Sequence, residues 1–138
     1  MPKIHPLIVQ ASDDEYVDTA SWVPDGPIEL HPDDDTVTQT LLSAKLVEDC
    51  DVTFALAKVP PGSHHLRHFH PHGSEIYYVT KGTCTVFLGE EEIAAEPGMA
   101  IYIPPGVVHG DRNDGDETCE MVVVCSTPTY AEMGLVYV

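Results

Sequence analysis

From Thr36 onward the chain is a succession of short runs rich in β-branched and aromatic residues: TVTQTLLSAKL, DVTFALAKV, EIYYVTKG, TCTVFLGE, EEIAAEPG, MAIYIPPG and CEMVVVCS. Turn residues separate them, as PPG, KG, GEEE, EPG, PPG and NDGDE. Punctuation this frequent leaves no room for a long helix, so the pattern predicts an all-β sandwich or barrel. Pro60, Pro61 and Gly62 end one strand, and Asn113, Asp114 and Gly115 read as a tight hairpin connection. With 138 residues, no internal repeat and no linker, residues 36–138 are expected to form a single barrel.

The first 35 residues differ. Pro2, Pro6, Pro24, Pro27 and Pro32, with the acidic patches SDDE and PDDD, break any long element. Residues 1–35 therefore read as an irregular arm packed on the barrel or on a partner subunit. Ser12 followed by Glu15 has the form of a helix capping box, with room behind it for a turn or two. Trp22 is expected to pack the arm down. Ile4, Leu7, Ile8, Trp22 and Ile28 need a surface to bury against, and an open sheet edge needs pairing, so a homodimer with exchanged arms is expected.

Charge narrows the partners. Six Lys and Arg against 23 Asp and Glu give a net of −17, a surface that repels phosphate backbones and anionic lipid heads. Neither nucleic acid nor membrane is an expected partner, and no apolar run approaches the roughly 20 residues that span a bilayer. Acidity of this size also suits strong hydration in a salty cytoplasm. The N-terminus lacks the basic start and apolar stretch of a secretory signal, so a cytoplasmic protein is the reading. Cys50, Cys84, Cys119 and Cys125 show no CxxC pairing and are expected as reduced, buried thiols.

The stretch HHLRHFHPHGSE, His64 to Glu75, holds five of the eight histidines, which makes it the candidate site. Side chains two apart on a strand share a face, so His68 and His70 point together. Turn residues follow, after which Glu75 opens the next strand and can fold back to the same interior, with Tyr77 and Val79 on its face. His109 follows a Pro-Gly turn that can aim it at the other three. Three imidazoles and a carboxylate suit a divalent first-row transition metal and would leave coordination positions open for chemistry. By the same parity Arg67 faces away and His64 lies at a pocket edge or in solvent; His65 and His72 read as exposed or behind the ligands.

The two segments that carry these residues resemble the signature motifs of the cupin superfamily. GSHHLRHFHPHGSEIYYVTKG, Gly62 to Gly82, is similar to the first motif, and GMAIYIPPGVVHGDRN, Gly98 to Asn113, to the second, with every fixed position filled. The 15 residues between them, Thr83 to Pro97, suffice for one hairpin. The resemblance implies a double-stranded β-helix, a jelly-roll-like barrel, with His68, His70, Glu75 and His109 holding one divalent metal. Iron(II) is favoured, with manganese, nickel, cobalt, copper or zinc as alternatives. It also implies a metal-dependent enzyme: an iron-dependent dioxygenase, or a redox-neutral lyase, cyclase or isomerase of the polyketide-tailoring type. A non-catalytic binding barrel is the remaining reading.

Two further residue-level expectations concern catalysis. Tyr77 is the uncharged acid/base candidate, and Glu75 can serve as a proton acceptor as well as a ligand. Only Arg67, Arg112 and four lysines, Lys3, Lys45, Lys58 and Lys81, are available to clamp an anion. The expected substrate is thus a neutral or metal-chelating small molecule, such as a diketone, an enol or an aromatic hydroxy compound, in walls built from Phe54, Leu56, Phe87, Ile101 and Ile103.

Overall fold

The computed structural model describes residues 4–18, 31 and 33–138; Trp22 and Ile28 lie outside the described residues. Strands dominate, in two antiparallel sheets. The first is ordered β1 (Val17–Asp18), β2 (Val37–Leu42), β3 (Thr53–Val59), β10 (Cys119–Cys125), β5 (Glu75–Lys81) and β8 (Ala100–Ile103). The second is ordered β11 (Val136–Tyr137), β4 (His64–Phe69), β9 (His109–Arg112), β6 (Cys84–Leu88) and β7 (Glu91–Ala95). From β3 to β10 the chain keeps crossing between the sheets, apart from the β6–β7 hairpin, and this winding makes a double-stranded β-helix.

Period-two alternation decides which residues fill the interior. On β5, Glu75, Tyr77 and Val79 are buried while Ile76, Tyr78 and Thr80 are exposed. Val59, Val86, Ile103 and Met121 from both sheets pack with Tyr77 and Val79 into one core. The same alternation corrects the expected walls. Ala55 and Ala57 line the cavity in place of Phe54 and Leu56, because β3 pairs with β10 in a register that turns the alanines inward. Phe87 lies under the guanidinium groups of Arg67 and Arg112, 4.2 and 5.2 Å from its ring centroid. Ile101 and Ile103 belong to the core rather than to the cavity wall.

Two local readings change. Asn113–Gly115 is not a hairpin, because β9 and β10 belong to different sheets. It is a corner held by the buried Asn113 amide, which donates to the Val59 and Glu117 carbonyls at 2.8 and 2.7 Å, while its Oδ1 accepts from the Gly115 N–H. The capping box is half formed. Ser12 Oγ accepts from the Asp14 N–H above a single 3-10 turn, Asp13–Glu15, but the Ser12 N–H is taken by Gln39 of β2 rather than by Glu15.

The described part of the arm docks on its own chain, β1 pairing with β2. Ile4, Leu7 and Ile8 remain exposed. All four cysteines are free, and Cys84, Cys119 and Cys125 are buried. Among the described residues no helix is long and apolar enough to cross a membrane.

Candidate metal centre

His68 ends on β4, Glu75 begins β5 and His109 begins β9, so the crossovers between sheets bring all three to one end of the core. His70 is held over them from the loop after β4. That loop is packed tightly: a Cβ on Gly73 would meet Met133 Cγ at 2.7 Å, and the His72 N–H donates to the Met133 carbonyl. The ligand-capable atoms of His68, His70, Glu75 and His109 lie within 4.8 Å of one another, and all four residues are buried. The structure thus assembles the group that the strand alternation and the motif resemblance both single out.

The hydrogen bonds around the rings fix their tautomers. His68 Nδ1 lies 2.6 Å from the Leu66 carbonyl, His70 Nδ1 2.6 Å from that of Gly134, and His109 Nδ1 2.9 Å from that of Val107. A carbonyl only accepts, so each Nδ1 carries the proton and each Nε2 presents a lone pair. His68 Nε2 and His70 Nε2 are buried without a hydrogen-bond partner, a costly arrangement unless something else meets them. His109 Nε2 lies 2.9 Å and His70 Nε2 3.5 Å from Glu75 Oε1. Lone pairs facing a carboxylate oxygen at these distances need a cation or extra protons between them. A transition-metal ion fits this donor set, with each Nδ1–H···O=C bond orienting its ring from behind.

Electrostatics follow from burial. Desolvation, reinforced by the neighbouring imidazoles of His65, His109 and His70, holds His68 well below the usual histidine value and keeps it neutral. Burial alone would raise the Glu75 carboxyl, but the hydrogen bonds and positive charge that His109 and His70 supply in their protonated form outweigh it and hold the group well below the ordinary carboxylate range. Burial pushes the Tyr77 hydroxyl well above its usual value, and the negative charges of Glu75 and Asp111 push it further. Tyr77 therefore faces the site as a phenol, its ring edge-on to His109 at 6.0 Å.

The histidine run contains an irregularity that parity alone does not reveal. The pairing of β4 with β9 shifts register between His65 and His68, so His65 joins His68 inside, their rings 4.2 Å apart. His64 is half-buried and gives its N–H to Asp35 Oδ1. His72 is exposed, and Arg67 faces away as expected. Asp34 secures the bulge: its Oδ1 accepts from the Leu66 N–H at 2.6 Å, and its Oδ2 accepts from the Tyr137 hydroxyl at 2.5 Å. Oδ2 also lies 3.1 Å from His65 Nδ1, off the line of a hydrogen bond, so this contact is best described as an ion pair. Burial would lower the His65 imidazole, but Asp34 and Asp111 prevail and raise it.

Sequence reasoning missed Asp34, Asp111 and Cys125. Asp34 sits in what reads as a solvated acidic patch. Asp111 is buried, with its Oδ1 unpartnered and its carboxyl pushed up to about 6, chiefly by burial. Its position two residues beyond His109 on one strand was the available signal. Cys125 alternates with Met121 and Val123 on the inner face of β10, which was its signal. Beside the donor set is a narrow cavity of about 40 Å³. Apolar Ala55, Ala57, Met121 and Val123 and polar His65, Tyr77 and Asp111 contribute to its lining, which among the described residues contains no lysine or arginine.

Two crossing sheets closed around three histidines and a glutamate define a metal-binding double-stranded β-helix protein. The cupin domain family matches residues 55–125, and the chain belongs to that family. It is 33% identical over 98 residues to an uncharacterized protein of Methanocaldococcus jannaschii, MJ1618, covering 71% of this chain and 78% of that one. It is also 33% identical over 84 residues to the polyketide synthase CurC of Streptomyces cyaneus, covering 61% of this chain and about half, 54%, of that protein. The structure resembles that of a protein with a double-stranded β-helix domain from Klebsiella pneumoniae, with a TM-score of 0.63 and 21% identity, over 94% of this chain and 90% of that one.

Proposed function

We propose that the chain is a metal-dependent enzyme acting on a neutral or metal-chelating small molecule, and that it works as an iron-dependent dioxygenase. The observation that carries this reading is the convergence of the His68, His70 and His109 Nε2 lone pairs on Glu75 Oε1 in a buried pocket. His68, His70, Glu75 and His109 would hold the ion; Fe(II) is favoured, and manganese, cobalt, nickel, copper and zinc accept the same donors. When bound, such an ion supplies Lewis-acid polarisation of a chelating oxygen and, as iron, the redox chemistry that lets dioxygen react.

The chain's own residues do the rest. The cavity lining disfavours polyanions, because its ionisable groups include the carboxyls of Glu75 and Asp111 but, among the described residues, no lysine or arginine. Ala55, Ala57 and Met121 exclude water from one side. Tyr77 is placed to give a proton to substrate, and Glu75 is the nearest carboxylate able to accept one. Three buried free thiols suit a reducing cytoplasm. Exposed Ile4, Leu7 and Ile8 suit burial in a homodimer.

A redox-neutral lyase, cyclase or isomerase is the second reading, favoured by the similarity to the polyketide synthase CurC. Anaerobic reconstitution with Fe(II), followed by oxygen-electrode assays over β-diketones, enols and catechols, separates the two. Oxygen uptake matched to substrate loss supports the dioxygenase. Turnover without oxygen supports the second reading. Tight binding of a chelator with no turnover under either condition would overturn both.

A further inference from the structure

The strand register places a thiol against the only carboxylate of the donor set. Cys125 and Glu75 are direct cross-strand partners in the β10–β5 pairing, both on the inner face and both nearly fully buried. Cys125 Sγ donates to Glu75 Oε2 at 3.6 Å, whereas Oε1 faces the nitrogens of His109 and His70. The two oxygens of one carboxylate are thus assigned to different neighbours. Thr53 flanks Cys125 on its other side in the β3–β10 register, and its hydroxyl is committed to the Thr127 carbonyl at 2.9 Å, so among the described residues the thiol is the donor that Oε2 has.

We propose that Cys125 is a positioning residue that holds Glu75 as a one-oxygen ligand and keeps Oε2 out of the metal's shell. The inference rests on the metal reading above and narrows it. With Oε2 tied to the thiol, Glu75 is held in one orientation, and proton delivery falls to Tyr77. A metal held this way would keep free the place that a second glutamate oxygen could take, leaving room for a substrate that binds through two oxygens. The buried, unpartnered Nε2 atoms of His68 and His70 mark the centre toward which Oε1 is turned.

The test uses Co(II) alone as the metal probe and acetohydroxamate as a two-oxygen chelating probe. Wild type is compared with Cys125→Val, which keeps bulk without a donor, and Cys125→Ser, which keeps a donor with less bulk. Cys125→Ala replaces the valine variant should thermal melting show that valine is not accommodated. The inference predicts shifted visible Co(II) bands and acetohydroxamate binding weakened about tenfold in the donor-free variant, with both recovered toward wild type by serine. Cobalt-loaded variants with the spectrum and affinity of wild type overturn it, as does a serine variant that behaves like valine. A wild-type chain that takes up no cobalt overturns the metal reading and the inference with it, so the two failures are distinct.

Discussion

His109 concentrates two demands on one ring. Its Nδ1–H is committed to the Val107 carbonyl, and its Nε2 faces Glu75 Oε1 at 2.9 Å. Replacing His109 with Ala leaves a buried carboxylate without its nearest partner, so His109→Ala should lower the unfolding free energy by on the order of 3 kcal/mol, read by urea denaturation, besides weakening metal binding. Asp34 answers to pH. Although burial raises its carboxyl, His65, the Leu66 N–H and the Tyr137 hydroxyl outweigh this, and the folded-state value is lowered. Its contribution is therefore complete above the ordinary carboxyl value near about 4 and is lost as pH falls through the lowered one. Asp34→Asn should cost roughly 3 kcal/mol at pH 7, and the gap from wild type should shrink in acid. A gap that is constant across the pH–stability curves would refute the clasp.

Among the elements, β4 and β9 carry the most constraint, because their pairing shifts register next to three site histidines. Gly110 makes this possible: a Cβ there would meet the His65 carbonyl oxygen at 2.6 Å. Since the obstacle is backbone, Gly110→Ala should force β4 and β9 apart, cost at least about 1–3 kcal/mol and weaken metal uptake, as thermal melting and metal titration would show. A variant with wild-type melting and uptake would contradict this. The same pairing explains what could be read from the sequence. EIYYVTKG and CEMVVVCS announce their strands and inner faces through alternation, and His68, His70, Glu75 and His109 follow from strand alternation and motif spacing. For His65 the sequence left open exposure or a place behind the ligands, because a bulge is a tertiary accommodation that reverses parity without leaving a local signature. HGDR, which forms β9, lacks the β-branched residues of a recognisable strand, and β11 is two residues held by pairing with β4. Asn113 looked like hairpin chemistry because the same residue types serve a crossover corner.

At the scale of the whole molecule, a net charge of −17 makes the folded surface repel itself. Raising salt from about 0.05 M toward about 1 M shortens the screening length to roughly 3 Å and should raise the melting temperature, more than for a variant with acidic surface residues neutralised. A melting temperature that falls or stays flat would show that self-repulsion is not a governing cost. Ile76, Tyr78 and Tyr102 form an uncharged, exposed face on β5 and its edge neighbour β8. In so acidic a chain this face suits a second copy, and light scattering at micromolar concentration should give the mass of two chains. The central claim, that one buried centre holds a transition-metal ion, is tested most directly by elemental analysis of protein made without a histidine tag, after anaerobic reconstitution and exhaustive dialysis. The account predicts a single ion per chain in wild type and its loss in His68→Ala and His109→Ala. Folded wild-type protein that retains none of iron, manganese, cobalt, nickel, copper or zinc, or variants that retain as much as wild type, would contradict it.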